Sequence, residues 1–198
     1  MDIRSPRRAD LMRKIVAELL EHGVGDLSLR PLADRVGTSA RLLIYHFASK
    51  EALLAAALAE VRRQVDIALT IRARQVPPAS LRAMIMMFWD WSTEAANQRY
   101  FRLLFEVDGL TLFNRVIFSR ETEQANSHTW TCLIERGVAT LPSGGVPPAV
   151  ATLLMCTTKG LLQEFLTTGD LEHTTAALEA LVDELVPKTS ARRDRVDA

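Results

Sequence analysis

An all-α fold is predicted by three features of the sequence. Apolar residues recur three and four positions apart along most of the chain, the spacing that lines one face of a helix. No stretch shows the period-two alternation between turn residues that marks a strand. Ser, Gly and Pro fall at intervals that start and stop helices of ordinary length. With 198 residues, 48% of them hydrophobic, the chain has material for a sizeable core.

Nine or so helices follow in order. The first covers about Arg7 to His22, with Leu11, Ile15, Leu19 and Leu20 on one face and Gly23 and Gly25 closing it. Ser28 caps a short second helix through Val36, which Gly37 ends. Ser39 starts a brief third helix to Phe47, and Ser49 caps a long fourth to about Arg74. Pro77-Pro78 stops it, because the residue before a proline is driven out of the α region. The fifth helix, about 79–96, is apolar nearly all round, as in a core centre or a cavity wall. The sixth spans about Asn97 to Asp108; Gly109 then turns the chain into a seventh from Thr111 to about Thr140. Leu141 to Pro148 reads as a loop. The last two helices, about Ala149 to Thr168 and Leu171 to Val186, are split by Gly169-Asp170.

Net charge is zero, but residues 1–50 carry nine Lys/Arg against six acids. A mildly basic head on a mildly acidic body suits a small DNA-contacting module joined to a domain with another task. Cys132 and Cys156 lack metal or disulfide spacing and read as reduced packing residues. No metal, cofactor or membrane partner is expected. No apolar run approaches the roughly 20 residues of a bilayer span, and the N-terminus has no signal core, so the expected location is the cytoplasm. No Gly-rich phosphate loop, GxSxG, HExxH or paired-carboxylate constellation appears, and Cys156 with His128 or His173 lacks a third member, so no enzyme is expected.

Function concentrates in the run from Ser28 to Phe47. It reads as two short helices joined by a tight turn, with small Ala33 permitting close approach and Gly37 suited to a left-handed residue. Leu29, Leu32, Val36, Leu43 and Phe47 form the apolar seam. Thr38, Ser39, Ala40, Arg41, Leu42 and Tyr45 stay outside, as a recognition helix entering a major groove requires.

Through Ser28, Leu32-Ala33, Val36-Gly37-Thr38-Ser39, Leu43, Tyr45-His46-Phe47 and Ser49-Lys50-Glu51-Ala52-Leu53, the chain resembles the tetracycline-repressor (TetR) family of regulators. The strong match covers about residues 8–56; beyond it the likeness is architectural. It implies a helix-turn-helix DNA-binding domain at 1–50 and a ligand-binding and dimerisation domain at 51–187; the charged end at 188–198, which lacks a hydrophobic period, reads as a flexible tail. By position, it implies phosphate contacts from Ser28 and Lys50 and groove contacts from Thr38, Ser39, Ala40 and Arg41, with Arg30, Tyr45 and His46 as further candidates. Lys50 has independent support, since the first turn of a helix already favours an anion. The family often has Tyr where this chain has Ile44, so that contact passes to Tyr45 or is absent. Arg41 stands where a small residue is frequent, making it the candidate base contact. His46 either faces DNA or packs on Phe47; Arg4, Arg7 and Arg8 form either a groove-seeking arm or a solvated tail.

In the second half, Met84, Met87, Phe88, Trp89, Trp91, Phe101, Phe105, Trp130 and Phe165 are candidates to line a pocket for a small, largely apolar effector, against ordinary core. Asp90, Glu94, Glu106, His128 and Glu164 are candidate polar anchors that also read as surface residues. Apolar stripes on the last two helices, through Val150, Leu153, Leu154 and Leu161, then Leu178, Leu181, Val182 and Leu185, predict a twofold homodimer. The expected function is a ligand-responsive transcriptional repressor, released from a near-palindromic double-stranded operator by that effector, with an activator as a variant of the same scheme. The alternative is a helical dimeric ligand-binding or protein-interaction module without specific DNA binding.

Overall fold

The computed structural model describes residues 6–25, 27–120, 122 and 147–185, and it is all-helical over them. Eight helices lie among the described residues: α1 (Pro6–His22), α2 (Leu29–Arg35), α3 (Ala40–Phe47), α4 (Lys50–Gln75), α5 (Leu81–Thr93), α6 (Gln98–Leu112), α7 (Pro148–Thr168) and α8 (Leu171–Leu185). They divide into two compact units. One holds α1 to α4 and α6; the other holds α5, α7 and α8.

In the first unit, Leu11, Ile15, Val16 and Leu19 of α1 meet Leu32, Leu43 and Phe47 of the two short helices in one core. Leu53, Leu54, Ala57, Leu58 and Val61 of α4 complete it, with Leu103, Leu104 and Val107 of α6. The four-residue rhythm along α4 continues to Val65 and Leu69, which keeps one face of a 26-residue helix buried.

Helix ends follow local chemistry. Gly23 adopts φ +72°, and its N–H donates to the Leu19 carbonyl at 2.9 Å. At the end of α2, Thr38 N–H donates to Ala33 O at 2.8 Å and Gly37 N–H to Asp34 O at 3.2 Å, with Gly37 at φ +72°. That is a Schellman closure, which needs a left-handed residue at this point. Ser39 and Ser49 accept from Leu42 N–H and Ala52 N–H, capping α3 and α4. Ser28 stands at the N-cap of α2 but makes no side-chain cap bond.

Two boundaries depart from expectation. Gly109 does not turn the chain; α6 runs through it to Leu112. Its cost as a helix residue is only about 1 kcal/mol, and Asn114 takes the left-handed position instead, at φ 53°. The expected seventh helix does not begin at Thr111, which belongs to α6, and Phe113 to Ser119 are not helical. From there Val116 and Phe118 turn into the first unit's core. Arg120 and Thr122, further along that expected helix, are helical; Trp130, His128 and Cys132 lie outside the described residues.

In the second unit, α5 buries Leu81, Met84, Ile85, Trp89 and Trp91, while Met86, Met87 and Phe88 are half-buried. The Trp89 indole N–H donates to Thr175 Oγ1 at 2.8 Å. Arg82 bridges Glu179 and Asp183 of α8. Gly169, at φ +79°, ends α7, and Asp170 accepts from His173 N–H to start α8. Among the described residues no helix is long and apolar enough by itself to cross a membrane, and no cluster of His, Cys, Asp and Glu could hold a metal ion.

Candidate nucleic-acid interface

α3 presents two faces of opposite character. Leu43 and Phe47 are buried, whereas Arg41, Leu42, Ile44 and Tyr45 are exposed, Tyr45 to 80%. A helix of eight residues is too short to be stable alone, so this outward face is held by what lies beneath it. Ala33, 1% exposed, lets α2 lie close. Arg8 reaches over from α1, with its guanidinium 4.9 Å from the Phe47 ring centroid and its Nε donating to the His46 carbonyl at 3.4 Å. Of the three N-terminal arginines, Arg8 is thus built into the fold rather than belonging to a solvated tail. His46 is half-buried and edge-on to both Tyr45 and Phe47.

The junction to α4 is tight. Ala48 has φ 67° and ψ −47°, and Ser49 N–H donates to Phe47 O at 2.9 Å, a γ-turn of the rare, strained kind. α3 and α4 are bent 70° across it. Lys50 follows at once, half-buried in the first turn of α4.

Charge pairing separates the basic residues into two groups. Arg13 and Lys14 are engaged by Asp10. Arg35 pairs with Glu18 of α1, which also meets His22 Nδ1 at 3.1 Å. By contrast, no ion pair or hydrogen bond to another described residue holds Arg30, Arg41 or Lys50. Ser28 is exposed with its hydroxyl free of a capping bond; Thr38 and Ala40 are half-buried at the turn, and the Ser39 hydroxyl is committed to the cap of α3. What the arrangement can do is offer a rigid helix end with one long, uncommitted cation at its second position, a further cation at the next helix N-terminus, and an apolar edge made by Leu42 and Ile44. Such an edge can contact thymine methyl groups. Ile44, which the sequence places outside the apolar seam, is exposed beside Leu42.

The other candidate residues distribute differently. Met84, Trp89, Trp91 and Phe165 are buried and Met87 and Phe88 half-buried in the second unit, whereas Phe101 and Phe105 belong to the first. Trp89, with its N–H committed to Thr175, is packed as core. Leu154, Leu178 and Val182 are fully buried in the chain's own packing, so they correct the expected interface face; Val150, Leu161, Leu181 and Leu185 are half-buried, and Leu153 is exposed. Cys156 is exposed rather than packed, because Leu154, Met155 and Thr158 take the inward positions on that part of α7. Asp90, Glu94 and Glu164 are exposed, and Glu106 is half-buried.

Residues 11–57 match the bacterial regulatory proteins of the tetR family. The chain is 29% identical over 80 residues to the HTH-type transcriptional regulator BetI of Cronobacter sakazakii, an alignment spanning 40% of each chain. Among solved structures, it is similar to one assigned to the TetR-family transcriptional regulators from a Rhodococcus species, at TM-score 0.70 and 17% identity over 90% of this chain and 97% of that one. It is also similar to the multidrug binding protein EbrR complexed with imidazole, at TM-score 0.65 and 20% identity over 94% and 98%.

Proposed function

We propose that this chain, whose residues 11–57 match the tetR-family regulators, is a DNA-binding transcriptional repressor released from a near-palindromic operator by a small, largely apolar effector. The observation that carries the reading is the outward face of α3, capped by Ser39 at its N-terminus and bearing an uncommitted Arg41. Thr38, Ser39, Ala40, Arg41 and Tyr45 enter the groove, while Ser28, Arg30 and Lys50 meet phosphates. His46, half-buried between two rings, supports Tyr45 from behind. Binding, not catalysis, is its activity, and its place is the cytoplasm. Selection of bound duplexes from random DNA is the test. An inverted repeat with half-sites about one DNA turn apart is expected; recovery of no sequence above background would leave the helical ligand-binding module as the better account.

The proposed boundaries are a reading head at 1–50, a sensing and dimerisation domain at 51–187, and a tail at 188–198. Effector contacts are proposed for the half-buried Met87 and Phe88 on α5, beside Met84, Trp91 and Phe165. Their flexible and aromatic side chains suit an apolar guest. The multidrug binding protein of the same fold, complexed with imidazole, is a precedent for a small guest. Effector would act by favouring one dimer geometry over another, to the extent of its differential affinity.

For the homodimer, the outward faces of α7 and α8 support a specific form. Leu153, Cys156 and Gly160 are exposed along α7, and Ala176 and Ala180 along α8. A Cβ added at Gly160 would meet nothing within the chain. Small residues of this kind let helices of two copies approach closely, as in a four-helix interface. The chain is expected to scatter light as twice its 22.1 kDa mass at micromolar concentration, and Gly160→Phe to shift it to the single mass with its helix content kept. A wild-type chain that stays at the single mass with and without operator would remove the dimer from the scheme.

A further inference from the structure

Glu106 lies on α6, yet its carboxylate ends at the turn after α1, where Oε2 accepts the Val24 N–H at 2.9 Å. Val24 stands between two glycines. A Cβ on Gly23 would collide with Oε2 and come within 3.1 Å of both Cδ and Oε1. One on Gly25 would lie 3.2 Å from Oε1. Gly23 is already required by its φ of +72°, but Gly25 is not among the positive-φ glycines. Its missing side chain therefore serves the carboxylate's approach rather than the backbone.

The turn and its occupant consequently form a cradle that holds one half-buried acid. Beneath it, α1 and α6 share an apolar contact through Leu103, Leu104 and Val107. Apolar contact is non-directional and tolerates sliding, whereas a charge-assisted bond to a backbone N–H fixes register. α1 in turn carries Arg8 against α3 and Glu18 against Arg35 at the end of α2. Any rotation of α1 is thus passed to both helices of the reading head.

We propose that Glu106 is a positioning residue for DNA recognition, its carboxylate seated on the Gly23-Val24-Gly25 turn so that α1, and through it α2 and α3, keep one setting against α6. The inference rests on α3 being the DNA-reading helix. It assigns Glu106 to the reading head, not to an effector.

The test uses the full chain and the duplex selected by the wild type, comparing E106A, E106Q and G25A for operator affinity, affinity for unrelated DNA, helix content and thermal unfolding. E106A is expected to keep its helix content and its binding to unrelated DNA, and to lose about tenfold in operator affinity, the scale of one charge-assisted hydrogen bond. E106Q retains an oxygen acceptor for the Val24 N–H and should recover most of the loss. G25A crowds the carboxylate without altering it and should weaken operator binding alongside E106A. Should E106A fail to fold, the contrast between E106Q and G25A reads the same point. Unchanged operator affinity in E106A and G25A, or losses that only follow thermal stability, would overturn the proposal. If the wild type itself selects no duplex, the DNA-binding reading fails first and takes this one with it.

Discussion

Phe47→Ala is expected to destabilise the unit built from α1 to α4 and α6 by about 3–5 kcal/mol. The ring sits at the last position of α3 and is 5% exposed, in a core with Leu32, Leu43, Leu53 and Leu54. Neither α2, with seven residues, nor α3, with eight, can persist on its own hydrogen bonds; their stability is tertiary. Truncation leaves a cavity and also removes the surface over which Arg8 packs, a contact worth about 0.5–1 kcal/mol in its own right. The strained turn at Ala48 follows directly, so the loss reaches the start of α4. Tyr45 is the internal control: two residues earlier and 80% exposed, its replacement by alanine should change stability by no more than about 0.5 kcal/mol. Urea unfolding followed by circular dichroism, with hydrogen exchange of the α2 and α3 amides, separates the two variants. Equal midpoints for F47A and Y45A would show that α3 is not oriented as described.

Much of this unit was legible because its signals are local. Ser39, Ser49 and Gly37 announce caps and a closure that depend on residues three to five positions away, and the structure uses each of them so. The all-helical class and the apolar seam were legible for the same reason. Ser28 is the exception: its position at an N-cap was readable, but whether its hydroxyl takes the cap bond depends on rotamer, which no spacing encodes. Gly109 misled because glycine is a weak stop signal; the helix passes through when the following turn finds its left-handed residue elsewhere, here at Asn114.

Contacts over long separations were not legible. Glu106 reaches Val24 across 82 positions, and nothing in the α6 pattern distinguishes it from a solvated acid. The pair Gly23 and Gly25 was the only local sign, and it read sufficiently as a helix stop. The same limit explains α7 and α8. Leu153 and Leu154 are neighbours in sequence with opposite fates, exposed and fully buried, because an apolar stripe specifies a helix face without saying whether the chain itself or a second copy covers it. The exposure of Cys156 follows from that same rotation of α7.

Arg41→Ala is expected to abolish discrimination at one operator base pair, lowering affinity for the best sequence by about 1–3 kcal/mol, roughly fivefold to 150-fold. Arg41 is exposed at the second position of α3, and no other described residue engages it. Its guanidinium therefore gives up no internal ion pair on entering a groove, and its planar fork matches guanine O6 and N7. Lys50 offers the contrast. At the N-terminus of α4 it adds a point charge where a helix end already favours an anion, so Lys50→Ala should weaken binding to every duplex and reduce the salt slope by about 1. The two can be told apart by anisotropy titrations of wild type, R41A and K50A over a salt series, against the operator and single-pair variants of it. R41A should bind one substituted duplex as well as the original, with the wild-type salt slope. A uniform loss across duplexes with a shallower slope would instead make Arg41 a phosphate contact and move sequence reading to Tyr45 and the Leu42–Ile44 edge.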